Sequence, residues 1–216
     1  MIVPEDLTVE VELGRAAGQG HDGTMWSAEV APKLASEYLS GLGRRWDHVQ
    51  AVGRLAEELA AADTVSSAVV AAAWLHDLGY AEELSTTGFH PLDGATFLMS
   101  EGVPTEIVAL VAHHTGADFE ADERGLSEHL AKLPEPEPDE LDVLTLLDLV
   151  TAPDGTTTDP ETRVAEILSR YPTFSPVHRA VTRSQDVLIA SARRARERLG
   201  LPDEWPAGPP EGVLEP

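Results

Sequence analysis

Five polar side chains stand in this 216-residue sequence where its apolar patterning calls for hydrocarbon. His76 and Asp77 close the run "AAAWLHDLGY", while His48, His114 and Asp148 fall on the apolar faces of three other segments. A buried imidazole or carboxylate costs free energy unless something pairs with it. One such residue is explained by a hydrogen bond. Five on four segments point to a shared partner, and a cation satisfies neutral imidazoles and carboxylates together. The chain has no cysteine, which excludes disulfides and thiolate sites, so any transition metal must be held by His and carboxylates. Such a cation lowers the pKa of a bound water and clamps phosphoryl oxygens.

The segments that must position these residues read as helices. "TMWSAEVAPKLASEYLSGLG" is helical up to Gly41–Gly43, with Pro32 expected to kink or divide it. In "RRWDHVQAVGRLAEELAAA", His48, Val52, Leu55 and Leu59 share one face. "SSAVVAAAWLHDLG" takes Ser66 or Ser67 as N-cap and Gly79 as its stop. A loop through "TTGFHP" leads into a helix from near Leu92 to Gly102. "PTEIVALVAHHTGA" runs from Pro104 to Gly116 with Ile107, Leu110, Val111 and His114 in phase. Leu141, Leu144 and Asp148 share a face of "ELDVLTLLDLVTA", and "DPETRVAEILSRYP" and "SPVHRAVTRSQDVLIASARRARERLG" supply two more helices.

No segment alternates with period two, so the expected fold class is all-α, a single bundle of about seven or eight helices over residues 24–200. Residues 1–23, with glycines at 14, 18, 20 and 23, are expected to form a flexible arm, and the Pro- and Glu-rich residues 201–216 a disordered tail. Residues 118–142 carry ten acidic and two basic residues around "PEPEP", the composition of an acidic insertion, either a solvated loop or a lid.

The formal net charge of −23 argues against nucleic-acid backbones and anionic membranes as partners, although a bound dication reverses the field locally for a small anion. There is no apolar run of membrane-spanning length, and the start lacks a basic region followed by an apolar one. A cytoplasmic location is expected. Neither a G-x-x-x-x-G-K-[ST] phosphate loop nor a G-x-S-x-G elbow is present. A second "HD", His21–Asp22, lies between Gly20 and Gly23 with no helix to aim it, and is not expected to ligate anything.

The order His48, His76–Asp77, Asp148 resembles the H…HD…D signature of the HD-domain metal-dependent phosphohydrolases, over about residues 44–152. "GFHPLDGATFL" with His90 and "VAHHTGA" with His113 and His114 look like the extra histidines of binuclear members, such as the HD-GYP phosphodiesterases and the diadenosine tetraphosphate hydrolases. No "GYP" follows "HHTG", so cleavage of cyclic-di-GMP is not implied. The resemblance implies one or two divalent transition metals (Mn, Fe, Ni, Co or Zn). His48, His76 and Asp148 would hold one, and His90 and His114, with His113 as a further candidate, the other. His114 is favoured by helical phase and by its place before Thr115–Gly116. Asp77 would bridge, and His76 and Asp77 would be central to catalysis.

The implied substrate is a small phosphate ester, a nucleotide or dinucleotide. Arg44, Arg45 and Arg163 are candidate phosphate contacts, Tyr80 and Phe89 candidate pocket walls, and Glu82 and Glu83 resemble the water-activating acidic position of some mononuclear members. The same ligands resemble those of the mixed-valent di-iron oxygenases of the superfamily, and a non-catalytic metal-binding regulatory module is a third possibility.

Overall fold

The most apolar helix is also the most enclosed. The computed structural model describes residues 30–206, and within them α3 (Ser67–Leu75) buries every residue from Val69 to Leu75. Ser66 caps it, accepting a hydrogen bond from the Val69 amide at 3.2 Å. A helix apolar on all sides must be surrounded. Here α1 (Val30–Leu39), α2 (Arg44–Ala61), α5 (Thr105–His113) and α8 (Pro138–Leu149) pack around it. α4 (His90–Ser100) lies against α5. The long α10 (Pro176–Leu199) closes the other side over α8, α6 (Ala117–Arg124) and α9 (Pro160–Arg170). With the four-residue α7 (Ser127–Leu130), the described residues form ten α-helices and no strand, only an isolated bridge between Thr151 and Thr157. The fold is all-α. No helix among the described residues is long and apolar enough to cross a membrane.

The eight helices read from the sequence are present, and the two extra ones come from the acidic segment. Residues 118–142 are not a solvated loop. Ala117 and Ala121 of α6 are buried, Leu130 and Leu133 follow them inside, and α6 is fastened to α10. Arg179 donates to Glu123 at 2.5 Å, and Arg183 donates to Asp122 and Glu123 at 2.8 and 2.7 Å. At the far end of the segment, the buried Asp142 accepts two hydrogen bonds from Arg194, at 2.8 and 2.6 Å, and one from Ser191. Four of its acidic residues, Asp122, Glu123, Asp139 and Asp142, are matched by arginines about fifty to sixty residues later in the chain. Pro32 does not divide the described helix, since it lies in the first turn of α1. The tail is ordered further than expected: Arg196 donates to the carbonyls of Asp203 and Trp205, and Leu201 and Trp205 pack on the core. The expected arm, His21–Asp22 included, and residues 207–216 of the tail lie outside the described residues.

Two features of this packing aim the site. α3 stops at Leu75, so His76 and Asp77 sit where the helix gives way to a tight 3-10 turn, Leu78–Tyr80. Gly79 is therefore not a left-handed stop, because it is not among the glycines with positive φ. Its role is proximity: a Cβ there would stand 2.1 Å from the His90 carbonyl oxygen and 2.7 Å from the Gly94 amide nitrogen. The first turn of α4 backs directly onto the turn that follows Asp77. That helix begins at His90, earlier than Leu92, because Asp93 gathers the preceding loop, accepting from the amides of Thr87 and Gly88 at 2.9 and 3.0 Å and from the Thr86 and Thr87 hydroxyls at 2.8 Å.

Candidate metal centre

Six of the side chains singled out in the sequence converge into two groups of three. His48, His76 and Asp148 form one, and Asp77, His90 and His114 the other. In each, the ligand atoms lie within 4.8 Å of one another. In the first, His48 Nε2 is 3.3 Å from His76 Nε2 and 3.0 Å from Asp148 Oδ1. In the second, His90 Nε2 is 3.2 Å from His114 Nε2 and 3.3 Å from Asp77 Oδ1. Asp77 stands between them: its Oδ2 faces His76 Nε2 at 3.4 Å and His48 Nε2 at 3.9 Å, while its Oδ1 faces His90.

The opposite ring nitrogens explain how the imidazoles are held. Nδ1 of His76 donates to the Ala73 carbonyl at 2.9 Å, Nδ1 of His114 to that of Val111 at 2.7 Å, and Nδ1 of His48 to that of Ala152 at 3.2 Å. A carbonyl only accepts, so each of these nitrogens carries the hydrogen. In the neutral ring Nε2 is then a bare lone pair turned inward. Burial pushes His76 down to about 4 and His90 well below its ordinary value, so both stay neutral. Lone pairs a little over 3 Å apart repel unless a proton or a cation sits between them.

The carboxylates behave oppositely. Burial alone would raise Asp77, but the adjacent Arg45 guanidinium overrides it and holds it well below the usual carboxylate range. Asp148 is likewise held well below its ordinary value despite its burial. Imidazoles and carboxylates in two trios are a donor set that fits divalent metals.

The HD-domain family model matches residues 45–153, half of the chain. The chain belongs to the HD-domain family. No curated protein and no solved structure matches it significantly.

The other candidates of this HD domain fall into clear places. His113 joins neither group. It turns away from His114, its Nδ1 meets Asp118 Oδ1 at 3.1 Å, and its Nε2 is buried without a partner. Of the adjacent pair, only His114 faces the site. Arg45 donates to Asp77 Oδ2 at 2.5 Å, its guanidinium lies 3.9 Å over the Tyr80 ring, and that ring stacks on His90 at 4.0 Å. Tyr80 thus walls the site, whereas Phe89 is wholly buried core. Glu82 and Glu83 are exposed on a 3-10 turn and line none of the cavity over the metal groups. Arg44 is exposed at the start of α2, and Arg163 is buried beside the site. Apolar residues of α9 and α10 and the segment joining them, among them Ile167, Val181 and Leu188, form the opposite wall.

Three contributors were not singled out from the sequence. Glu120 and Arg170 line the cavity, the first from the acidic segment and the second from the end of α9. Neither has a local sequence signal. The third is Thr115, whose place after His114 was noted without a role. Its hydroxyl donates to Asp148 Oδ2 at 2.6 Å, leaving Oδ1 to face His48. It does so from φ 42, ψ 49, a conformation that β-branched residues adopt only under strain. Because an outer partner of a ligand is typically worth about 10- to 100-fold in metal affinity or activity, Thr115→Gly is expected to lose that much metal affinity while unfolding no earlier than wild type. Thr115→Ser should keep most of the affinity. Metal titration and thermal unfolding of the two variants check this.

Proposed function

We propose that this HD domain is a metal-dependent phosphohydrolase acting on a small phosphate ester or anhydride, a nucleotide or dinucleotide. The observation that carries this reading is Asp77, one carboxylate offering an oxygen to each of two His-rich groups. Separate structural sites would have no need to share a ligand. His48, His76 and Asp148 would hold one divalent cation, His90 and His114 the other, and Asp77 both, with Mn, Fe, Co, Ni or Zn as the candidates. Bound there, such cations make water acidic enough to attack near neutral pH and neutralise charge on phosphoryl oxygens.

The chain's own residues do the rest. Carbonyl anchors on three imidazoles fix which nitrogen faces inward, so the site is preorganised. Arg45, held over Tyr80 at the edge of the site, is placed to meet a phosphoryl oxygen, and its guanidinium stays charged at any working pH. The apolar wall from α9 and α10 limits the water that reaches the reacting phosphorus.

The test is release of phosphate or nucleoside from a panel of phosphoesters and anhydrides with each metal in turn. Turnover should depend on added metal and vanish with a chelator. A fully loaded protein that cleaves no phosphoester overturns the reading.

A further inference from the structure

The metal groups leave the basic side chains beside them unexplained. The chain has 38 acidic against 15 basic residues. Yet a cavity of about 160 Å³ next to the site is walled by Arg44, Arg45, Arg163 and Arg170, together with His48 and Pro153. Arg45, Arg163 and Arg170 also wall the cavity over the metal groups, so the two spaces adjoin.

Several arginines elsewhere are matched by carboxylates, as Arg194 is by Asp142 and Arg179 by Glu123, whereas the exposed Arg54 meets only Gln50 and Arg196 meets backbone carbonyls. Here the carboxylates fall short. Arg163 and Arg170 share the single Glu166. Arg45 has only Asp77, which the metal groups also claim. Arg44 makes no ion pair among the described residues. Arg163 is 93% buried, being 7% exposed, and its Nε has no hydrogen-bond partner. A buried donor without an acceptor is costly, and this one belongs to a residue that lines the cavity. Four guanidiniums facing one small space, with one donor unsatisfied, suit an anion that takes several forked hydrogen bonds at once.

We propose that this cavity takes a second phosphate of the substrate. Resting on the phosphohydrolase reading, this narrows the substrate class to molecules with at least two phosphate groups, one over the metal groups and one among Arg44, Arg45, Arg163 and Arg170. A monophosphate would fill only the first space and leave Arg44, which walls only the second space, without a phosphate.

The test is calorimetric titration of the metal-loaded protein with pyrophosphate and with orthophosphate, metal content being checked afterwards. Wild type should bind pyrophosphate about tenfold tighter or more, the scale of added charge-assisted hydrogen bonds. That preference should collapse in Arg44→Gln/Arg170→Gln. It should persist in Arg54→Gln, which removes one positive charge from an exposed side chain whose guanidinium hydrogen-bonds only Gln50. Competition then distinguishes the sources: displacement of pyrophosphate by a nucleoside 5′-diphosphate places the second phosphate in an anhydride, and displacement by a 3′,5′-bisphosphate places it on a separate ester. Equal affinity for the two anions in wild type, or a preference unchanged in the double variant, overturns the proposal. Because binding is read without turnover, a protein that prefers pyrophosphate but cleaves nothing loses only the hydrolase reading. One that cleaves monoesters without the preference loses only this proposal.

Discussion

Asp77→Asn is expected to abolish phosphoester turnover and to leave at most one cation per chain. The substitution keeps the shape and removes the charge. One side of the amide still offers an oxygen, but the other offers an N–H donor, which faces a cation with the wrong polarity. Since Oδ2 of Asp77 faces His48 and His76 and Oδ1 faces His90, either orientation of the amide spoils one group. The loss should exceed the roughly 100-fold ceiling for outer partners of a ligand. The fold should survive, because the cost of burying a carboxylate disappears along with its pairing to Arg45. Activity assays with metal analysis check the first part, and thermal unfolding of chelator-treated protein checks the second. Wild-type turnover in Asp77→Asn would remove Asp77 from the centre of the mechanism.

Gly79→Ala is the second large effect expected, and it acts at a distance from any ligand atom. The added methyl would stand 2.1 Å from the His90 carbonyl oxygen and 2.9 Å from its carbonyl carbon, both backbone atoms. A flexible side chain could swing aside, whereas backbone in the first turn of α4 cannot without carrying His90 with it. The ring of His90 would retreat from Asp77 and His114, now 3.3 and 3.2 Å away. Overpacking of this kind costs about 1–3 kcal/mol, which for a chain of this size lowers the unfolding midpoint by roughly 2–4 °C per kcal/mol. The more specific expectation is the loss of one cation, from the Asp77, His90 and His114 group, while the other is retained. Metal stoichiometry separates this from general destabilisation, which would release both.

The order of the ligands along the chain could be read directly because each sits at a helix end or on an apolar face, where a polar residue is conspicuous. Helical phase marked His48 and Asp148 as inward-facing, but their grouping with His76 came from the resemblance to the HD-domain phosphohydrolases. The choice of His114 over His113 followed from phase as well, although nothing local showed that His113 would turn to Asp118. The acidic segment was misread for a physical reason. Composition counts the charges of residues 118–142, but the partners of Asp122, Glu123 and Asp142, namely Arg179, Arg183 and Arg194, lie on α10 and become visible only when the helices pack. The same limit hid Glu120 and Arg170, which reach the cavity by tertiary packing alone. Thr115 was hidden differently: its role depends on a backbone conformation that its residue type disfavours. Gly79 was recognised as special but for the wrong cause, since the need for close approach and the need for positive φ look the same in a sequence.

The account turns on Asp77 joining two cation sites, and elemental analysis of protein purified without chelator or nickel affinity resin tests it most directly. The expected result is two divalent ions per wild-type chain, at most one after Asp77→Asn, and loss of the Asp77, His90 and His114 ion in His90→Ala. A wild-type chain that holds no metal, even after reconstitution, would contradict the account outright. Two irons with oxygen consumed when an organic substrate is added would keep the centre and contradict the hydrolase.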